Sequence, residues 1–507
     1  MHKEIDPVGE CMKNWKILTS IGATLVVIVL LTVISMLAPI GSGYYAKYLC
    51  SQLFVSGRDD VEQIVEEEIR PTNPLFGMVS HELDSEKKTV RAVTLGVFSP
   101  TLAVYRPEVG CTLAVKITPD ELMEQVQGLS FDRSSENKEW PLGNQASIAD
   151  ETSLALESLD LAKDLNPPVI STDGMNLNTR RLNQVLEWAF SEPEEGRRQT
   201  QAVVIVYRGR LIAEKYAEGF NKDTPVLGWS MSKTATATLA GMMVLDGKLD
   251  ISLPADVPEW EDDPERSAIT TNDLLHMSSG LDFSEVYQPF NDAPEMLYNS
   301  ADMAGYAASQ PLAYEPGSRW YYSSGDTNLV ARILRDLSGG SLADVQRYAR
   351  NRLFHELEMN TVYFEPDPSG TFVGSSYMYA SARDWARLGL LLQQDGVWNG
   401  KRLLPEGWVE YLRTPAADSG GQYGAQLWLN AGRDNEELIP ERRFKSLPKN
   451  MFYMSGYNGQ NVIILPDEEL IVVRLGVTHN RENWNIERLV VGTLEALGLR
   501  EYAQPVN

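Results

Sequence analysis

Ile17 to Leu37 reads ILTSIGATLVVIVLLTVISML, 21 residues without a charged side chain. At about 1.5 Å per residue a helix of that length spans about 31 Å, the thickness of a bilayer's hydrocarbon layer. A buried core helix rarely runs so far without a polar break. The apolar stretch of a cleaved signal peptide is shorter, about 7 to 15 residues. The segment 17–37 is therefore predicted to be a retained transmembrane anchor, which makes the lipid bilayer a partner of the chain. Lys3, Lys13 and Lys16 precede it, and only Lys47 is basic just after it. The positive-inside rule leaves residues 1–16 as a cytoplasmic tail and sends the rest to the periplasm or cell exterior.

Cysteine usage agrees with that orientation. Cys11 precedes the span and stays a cytoplasmic thiol, whereas Cys50 and Cys111 fall together on the oxidising side and are predicted to be bonded. The link would close a loop of about 60 residues and stabilise by roughly 4 kcal/mol in the chain-entropy view.

The remaining chain is too long for one core, since cores stop growing near about 250 to 300 residues. Residues 38–130 read as a small N-terminal extension, with strand-like Thr89 to Tyr105 rich in β-branched residues and interrupted by Gly96 and Pro100. Residues 131–168, rich in Ser, Asn, Asp and Glu and closed by Asn166-Pro167-Pro168, read as a loosely structured linker. The large domain is expected over 169–507. It opens on a hairpin pattern, Gln201 to Gly219 around Arg208-Gly209, and ends on three strand-like runs from Met451 to Gly476 and an amphipathic helix from Glu482 to Leu497. Between them Thr234–Leu245, Asn328–Leu337, Leu342–Leu353 and Ala382–Gln393 have helical patterns. This order predicts an α+β fold, one antiparallel sheet built from both ends of the domain, flanked by helices and with a helical lobe inserted. A formal charge of −25 excludes a nucleic-acid partner, because binding phosphates needs clustered cations.

Ser-x-x-Lys occurs four times, starting at Ser85, Ser135, Ser230 and Ser446. Ser85 stands in a charged run, Ser135 in the linker, and Pro448 breaks the fourth copy. Only Ser230 opens a helix whose following turns are small and apolar. Residues i and i+3 share a helix face, so Lys233 can present its amine to the Ser230 hydroxyl. A serine hydroxyl needs a base to become a nucleophile, and a lysine loses its proton readily when desolvated. A Ser-His-Asp alternative would need His276, His355 or His479, and the Ser230 segment lacks the second glycine of a nucleophile elbow. No HExxH, CxxC, GxGxxG or P-loop spacing occurs, so neither a metal nor an organic cofactor is expected.

Ser230-Met231-Ser232-Lys233, then Tyr322-Ser323-Ser324, then Gly456-Tyr457-Asn458-Gly459-Gln460 resemble the three ordered motifs of class C β-lactamase-related serine hydrolases. Flanking segments Leu274 to Leu281, Met378 to Gly389 and Asp395 to Pro405 look most like the 6-aminohexanoate-dimer hydrolase branch, and the likeness runs from about Val169 to Gly498. The resemblance implies a β-lactamase/transpeptidase-like fold and an acyl-enzyme on Ser230. Lys233 and Tyr322 would pass protons, and the backbone N–H groups of Ser230 and Gln460 would hold the oxyanion. Ser324, Tyr457 and Gly459 would meet a small-molecule or short peptide-like amide or ester substrate. Tyrosine titrates near 10, so Tyr322 is expected to serve as a base only through a pKa lowered by Lys233. The chain departs from the family pattern twice, with Ser324 where Asn is common and Tyr457 where Lys or His is common. The second departure removes a cation that would hold a substrate carboxylate, and so speaks against β-lactam hydrolysis. The rival expectation is a penicillin-binding-like protein that binds a cell-envelope ligand without turnover.

Overall fold

The computed structural model describes residues 7–135, 137–145, 169–170, 175–288, 290–432 and 442–501, and before Ser35 side chains only at Ile21, Thr24, Leu25 and Thr32. One helix, Pro7–Phe54, runs through the predicted span and continues with Pro39 inside it, so residue 38 is a change of surroundings and not a break in the backbone. Among the described residues no helix is long and apolar enough to cross a membrane; most side chains of Ile17–Leu37 lie outside them.

The extension folds as a four-stranded antiparallel meander, Val79–Asp84, Thr89–Thr94, Phe98–Arg106 and Gly110–Leu113. Gly96 supplies the positive φ of the turn inside the run Thr89 to Tyr105, which therefore forms two strands. The meander lies along the helix, where the Ser42 hydroxyl donates to the Ser99 carbonyl at 2.8 Å. Cys50 and Cys111 are joined, tying helix to last strand. The linker reading covers more ordered chain than expected. The Arg133 guanidinium donates to the Asn360 and Val362 carbonyls, Trp140 is buried, and Arg387 donates to the Pro141 and Gly143 carbonyls. Residues 146–168 of that call lie outside the described residues.

The large domain is built on a seven-stranded antiparallel sheet that joins both ends of the chain. Its order is Trp428–Leu429, Phe452–Gly456, Gln460–Leu465, Leu470–Gly476, Thr200–Tyr207, Arg210–Tyr216, Val169–Ile170. Side chains alternate across a strand, and here both faces are covered, which is why the runs read as continuously apolar. Val203, Ile205, Ile463 and Val472 pack under the helices Thr179–Phe190 and Ile486–Ala496. Val204, Val206, Val462 and Val473 face the larger core with Trp385 and Leu388 of the helix Ala382–Gln393. The inserted lobe carries Ser324–Ser338 and Leu342–Ala349, and the helix Ser232–Leu245 packs against the first of these.

Candidate active site

Ser230 sits in a single 3₁₀ turn, Trp229–Met231, that feeds the helix Ser232–Leu245. The turn is locked by Ser232, whose hydroxyl donates to the Trp229 carbonyl at 2.6 Å and accepts the Met378 N–H at 3.0 Å. Trp229 is held at φ 48°, a left-handed conformation that bulky residues avoid. Such strain persists only where the surroundings over-determine it. Here rings do so, with Tyr44 and Tyr48 of the N-terminal helix stacked on the indole at 6.4 and 6.3 Å and Tyr457 edge-on at 5.7 Å. The extension thus buttresses the residue that precedes Ser230, a contact absent from the sequence expectations.

Lys233, only 1% exposed, donates to the Ser324 hydroxyl and the Ser375 carbonyl, each at 3.0 Å, and its Nζ lies 3.4 Å from the Ser230 Oγ. Burial draws its pKa down to about 8, against the opposing pull of the Glu285 charge. Tyr322 has its ring centre 4.9 Å from the Lys233 Nζ. Its pKa moves the opposite way from the expectation. Burial raises it above the ordinary tyrosine value, and negative Glu285 raises it further. The phenol is therefore protonated at neutral pH.

Ser324 lies between Lys233 and Glu285. It is fully buried, accepting from Lys233 and donating to the Glu285 carboxylate at 2.6 Å, while its backbone N–H donates to the same carboxylate at 2.7 Å. Its hydroxyl thus bridges the Lys233 amine and the Glu285 carboxylate. Glu285 went unnoticed in the sequence because a single Glu in an irregular loop carries no pattern. Tyr321, the neighbour that composition could not separate from Tyr322, accepts the Glu285 N–H at 3.2 Å and so holds that loop.

Gly456 brings the third motif against the start of the Ser230 turn, since a Cβ there would lie 2.1 Å from the Gly228 carbonyl oxygen. Gln460 pairs with Gly456 in the sheet, and its side chain accepts the Gly476 N–H at 3.0 Å. The turn between them is shaped by Arg474, wholly buried, whose guanidinium donates to the Asn458 and Gly459 carbonyls at 3.1 and 3.0 Å. Tyr457 is 42% exposed on the rim. A largely apolar cleft of about 1100 Å³ receives Ser230, Tyr322, Glu285, Tyr457 and Gly459 along one wall and Tyr44 on another. His276 and His479 are engaged elsewhere, donating to the Asn272 and Glu67 carbonyls. Among the described residues no cluster of His, Cys, Asp and Glu is arranged to hold a metal.

Comparison with known proteins bears on the same region. The Beta-lactamase family model matches residues 183–493. The 6-aminohexanoate-dimer hydrolase of Paenarthrobacter ureafaciens is 24% identical over 338 residues, 61% of this chain and 78% of that protein. Among solved structures, a penicillin binding protein from Bacillus halodurans aligns with a TM-score of 0.45 and 19% identity, covering 62% of this chain and 99% of its own. The family match takes in all three motifs and well over half of the sequence, so the chain belongs to the Beta-lactamase family of serine hydrolases.

Proposed function

We propose that the protein is a membrane-anchored hydrolase that cleaves an amide or ester bond through an acyl-enzyme on Ser230. One observation carries this reading, the Lys233 amine brought close to neutrality by burial and set 3.4 Å from the Ser230 hydroxyl. Neutral Lys233 takes the Ser230 proton as Oγ attacks the carbonyl carbon. The backbone N–H groups of Ser230 and Gln460 hold the oxyanion, and the Tyr322 phenol hands a proton to the leaving amine or alcohol. Water then releases the acyl group. The name of the Paenarthrobacter relative, a 6-aminohexanoate-dimer hydrolase, supports an amide, and the uncharged Tyr457 supports a substrate without the carboxylate of a β-lactam. The apolar, uncharged run Ile17–Leu37 and the lysines before it support the anchor, with the catalytic domain outside the cytoplasm.

A fluorophosphonate probe is expected to label the full chain and to spare Ser230→Ala. Label persisting in that variant would remove Ser230 as nucleophile, and an unlabelled wild type would favour ligand binding without turnover.

The free enzyme needs Lys233 neutral, so kcat/KM should climb with pH to a plateau through an inflection near 8. Glu285 favours the ammonium form, hence Glu285→Gln should move that inflection to lower pH while lowering kcat/KM by about tenfold through the loosened Ser324 bridge. A fall in rate with the inflection unmoved would make Glu285 a packing residue only.

A further inference from the structure

Leu37, the last residue of the expected span, lines the active-site cleft together with Ala38, Ile40 and Gly41. A helix rises about 1.5 Å per residue, so Gly41 stands about 6 Å beyond Leu37 and Tyr44 about 10 Å beyond it. The headgroup layer of a bilayer is only about 5 to 8 Å deep on each side of the hydrocarbon. If residues 17–37 span, the cleft wall begins inside that layer, and Tyr44, stacked at 6.4 Å on the neighbour of Ser230, lies just above it.

A second set of residues points the same way. Leu75, Met78 and Leu95 also line the cleft and are large apolar side chains left exposed, as are Met36 and Val97, the last 74% exposed. They gather on the rim around the emerging helix. The Leu95 N–H donates to the Met78 carbonyl at 2.9 Å, and the Thr94 hydroxyl donates to the Ala38 carbonyl at 3.5 Å. An apolar rim of this kind on a charged, acidic protein needs an apolar neighbour, and the one continuous with it is the bilayer that holds the helix.

We propose that the cleft opens onto the bilayer surface and that its substrate is an amphiphilic ester or amide, with an apolar chain lying along the helix exit and the Leu75–Met78 rim while its carbonyl reaches Ser230. This rests on the anchored-hydrolase reading and adds the class of substrate. The chemistry is the acyl transfer already described, in which the C–O or C–N bond breaks, the acyl group passes to Oγ and then to water, and the leaving group takes the proton.

The test uses the full chain in phosphatidylcholine vesicles with p-nitrophenyl acetate, butyrate and decanoate. Burying two methylenes already gives about tenfold, so kcat/KM for decanoate over butyrate should be at least about tenfold. In the double variant Leu75→Ser/Met78→Ser that ratio should fall at least about fivefold. It is taken within one protein preparation, so partial misfolding cancels. A wild-type ratio near one, or a ratio unmoved in the double variant, with acetate still hydrolysed, overturns this proposal alone. No acetate turnover, or equal turnover by Ser230→Ala, overturns the hydrolase reading and this proposal with it. Failure of the chain to float with vesicles on a density gradient overturns the anchor and the bilayer-facing mouth, leaving the hydrolase reading in place.

Discussion

Ser230→Ala and Lys233→Met are each expected to lower kcat/KM on a p-nitrophenyl ester by at least about a thousandfold, and the double variant is expected to fall no further. In the proposed mechanism the hydroxyl and the amine act as one unit. With the amine gone, the Ser230 proton has only Tyr322 to accept it, and that phenol holds its own proton at neutral pH because burial and Glu285 both disfavour the phenolate. With the hydroxyl gone, the amine has nothing to activate. Residual rate in all three variants would come from the oxyanion donors and from binding. Additive losses in the double variant would mean that Lys233 serves some step other than activating Ser230. Thermal unfolding of each variant checks that the fold is kept, and Ser230→Ala is the cleaner of the two because Lys233 also donates to Ser324 and the Ser375 carbonyl.

The site was legible where chemistry coincides with periodicity. Ser230 and Lys233 follow from one helical turn preceding a small apolar helix, and the hairpin at Arg208-Gly209 from two apolar runs around a turn whose residues both take positive φ. Helix starts were legible through their caps, as where the Ser381 hydroxyl accepts the Asp384 N–H at 3.2 Å. A first turn held partly by a distant group is not legible in this way. The pattern suggested a start at Asn328, but the helix begins at Ser324, where Ser323 caps the Asp326 N–H and the Glu285 carboxylate accepts the Ser324 N–H. Glu285, Arg474 and Trp229 stayed hidden for a shared reason. Each matters through a partner distant in sequence, and no local spacing encodes a long-range contact. The pKa of Tyr322 was misjudged because the sequence showed the cation nearby and not the burial or the carboxylate.

Lys47→Met is expected to cost about 3–5 kcal/mol in urea unfolding with the disulfide intact, the largest single-residue effect on stability anticipated here. The Glu365 carboxylate is wholly buried and receives the Lys47 ammonium, the Ser51 hydroxyl at 2.8 Å and the Cys111 N–H at 2.6 Å. Without the lysine a buried negative charge loses its countercharge, and the remaining two donors cannot replace it. Adding Glu365→Gln removes the charge while keeping an acceptor for Cys111, so the double variant should recover most of the loss. If Lys47→Met instead costs less than about 1 kcal/mol, the pair is solvated in solution and does not hold the extension in place. The consequence reaches the chemistry through one helix face. Tyr44, Lys47, Tyr48 and Ser51 recur at helical spacing, so the residues that clamp Glu365 are on the same stripe as those that stack on Trp229. Loosening the clamp should therefore lower ester turnover as well, and Glu365→Gln added to Lys47→Met should restore turnover and stability together. Recovery of stability without turnover would separate the clamp from the buttress and leave Trp229 held by Tyr457 and the large domain alone.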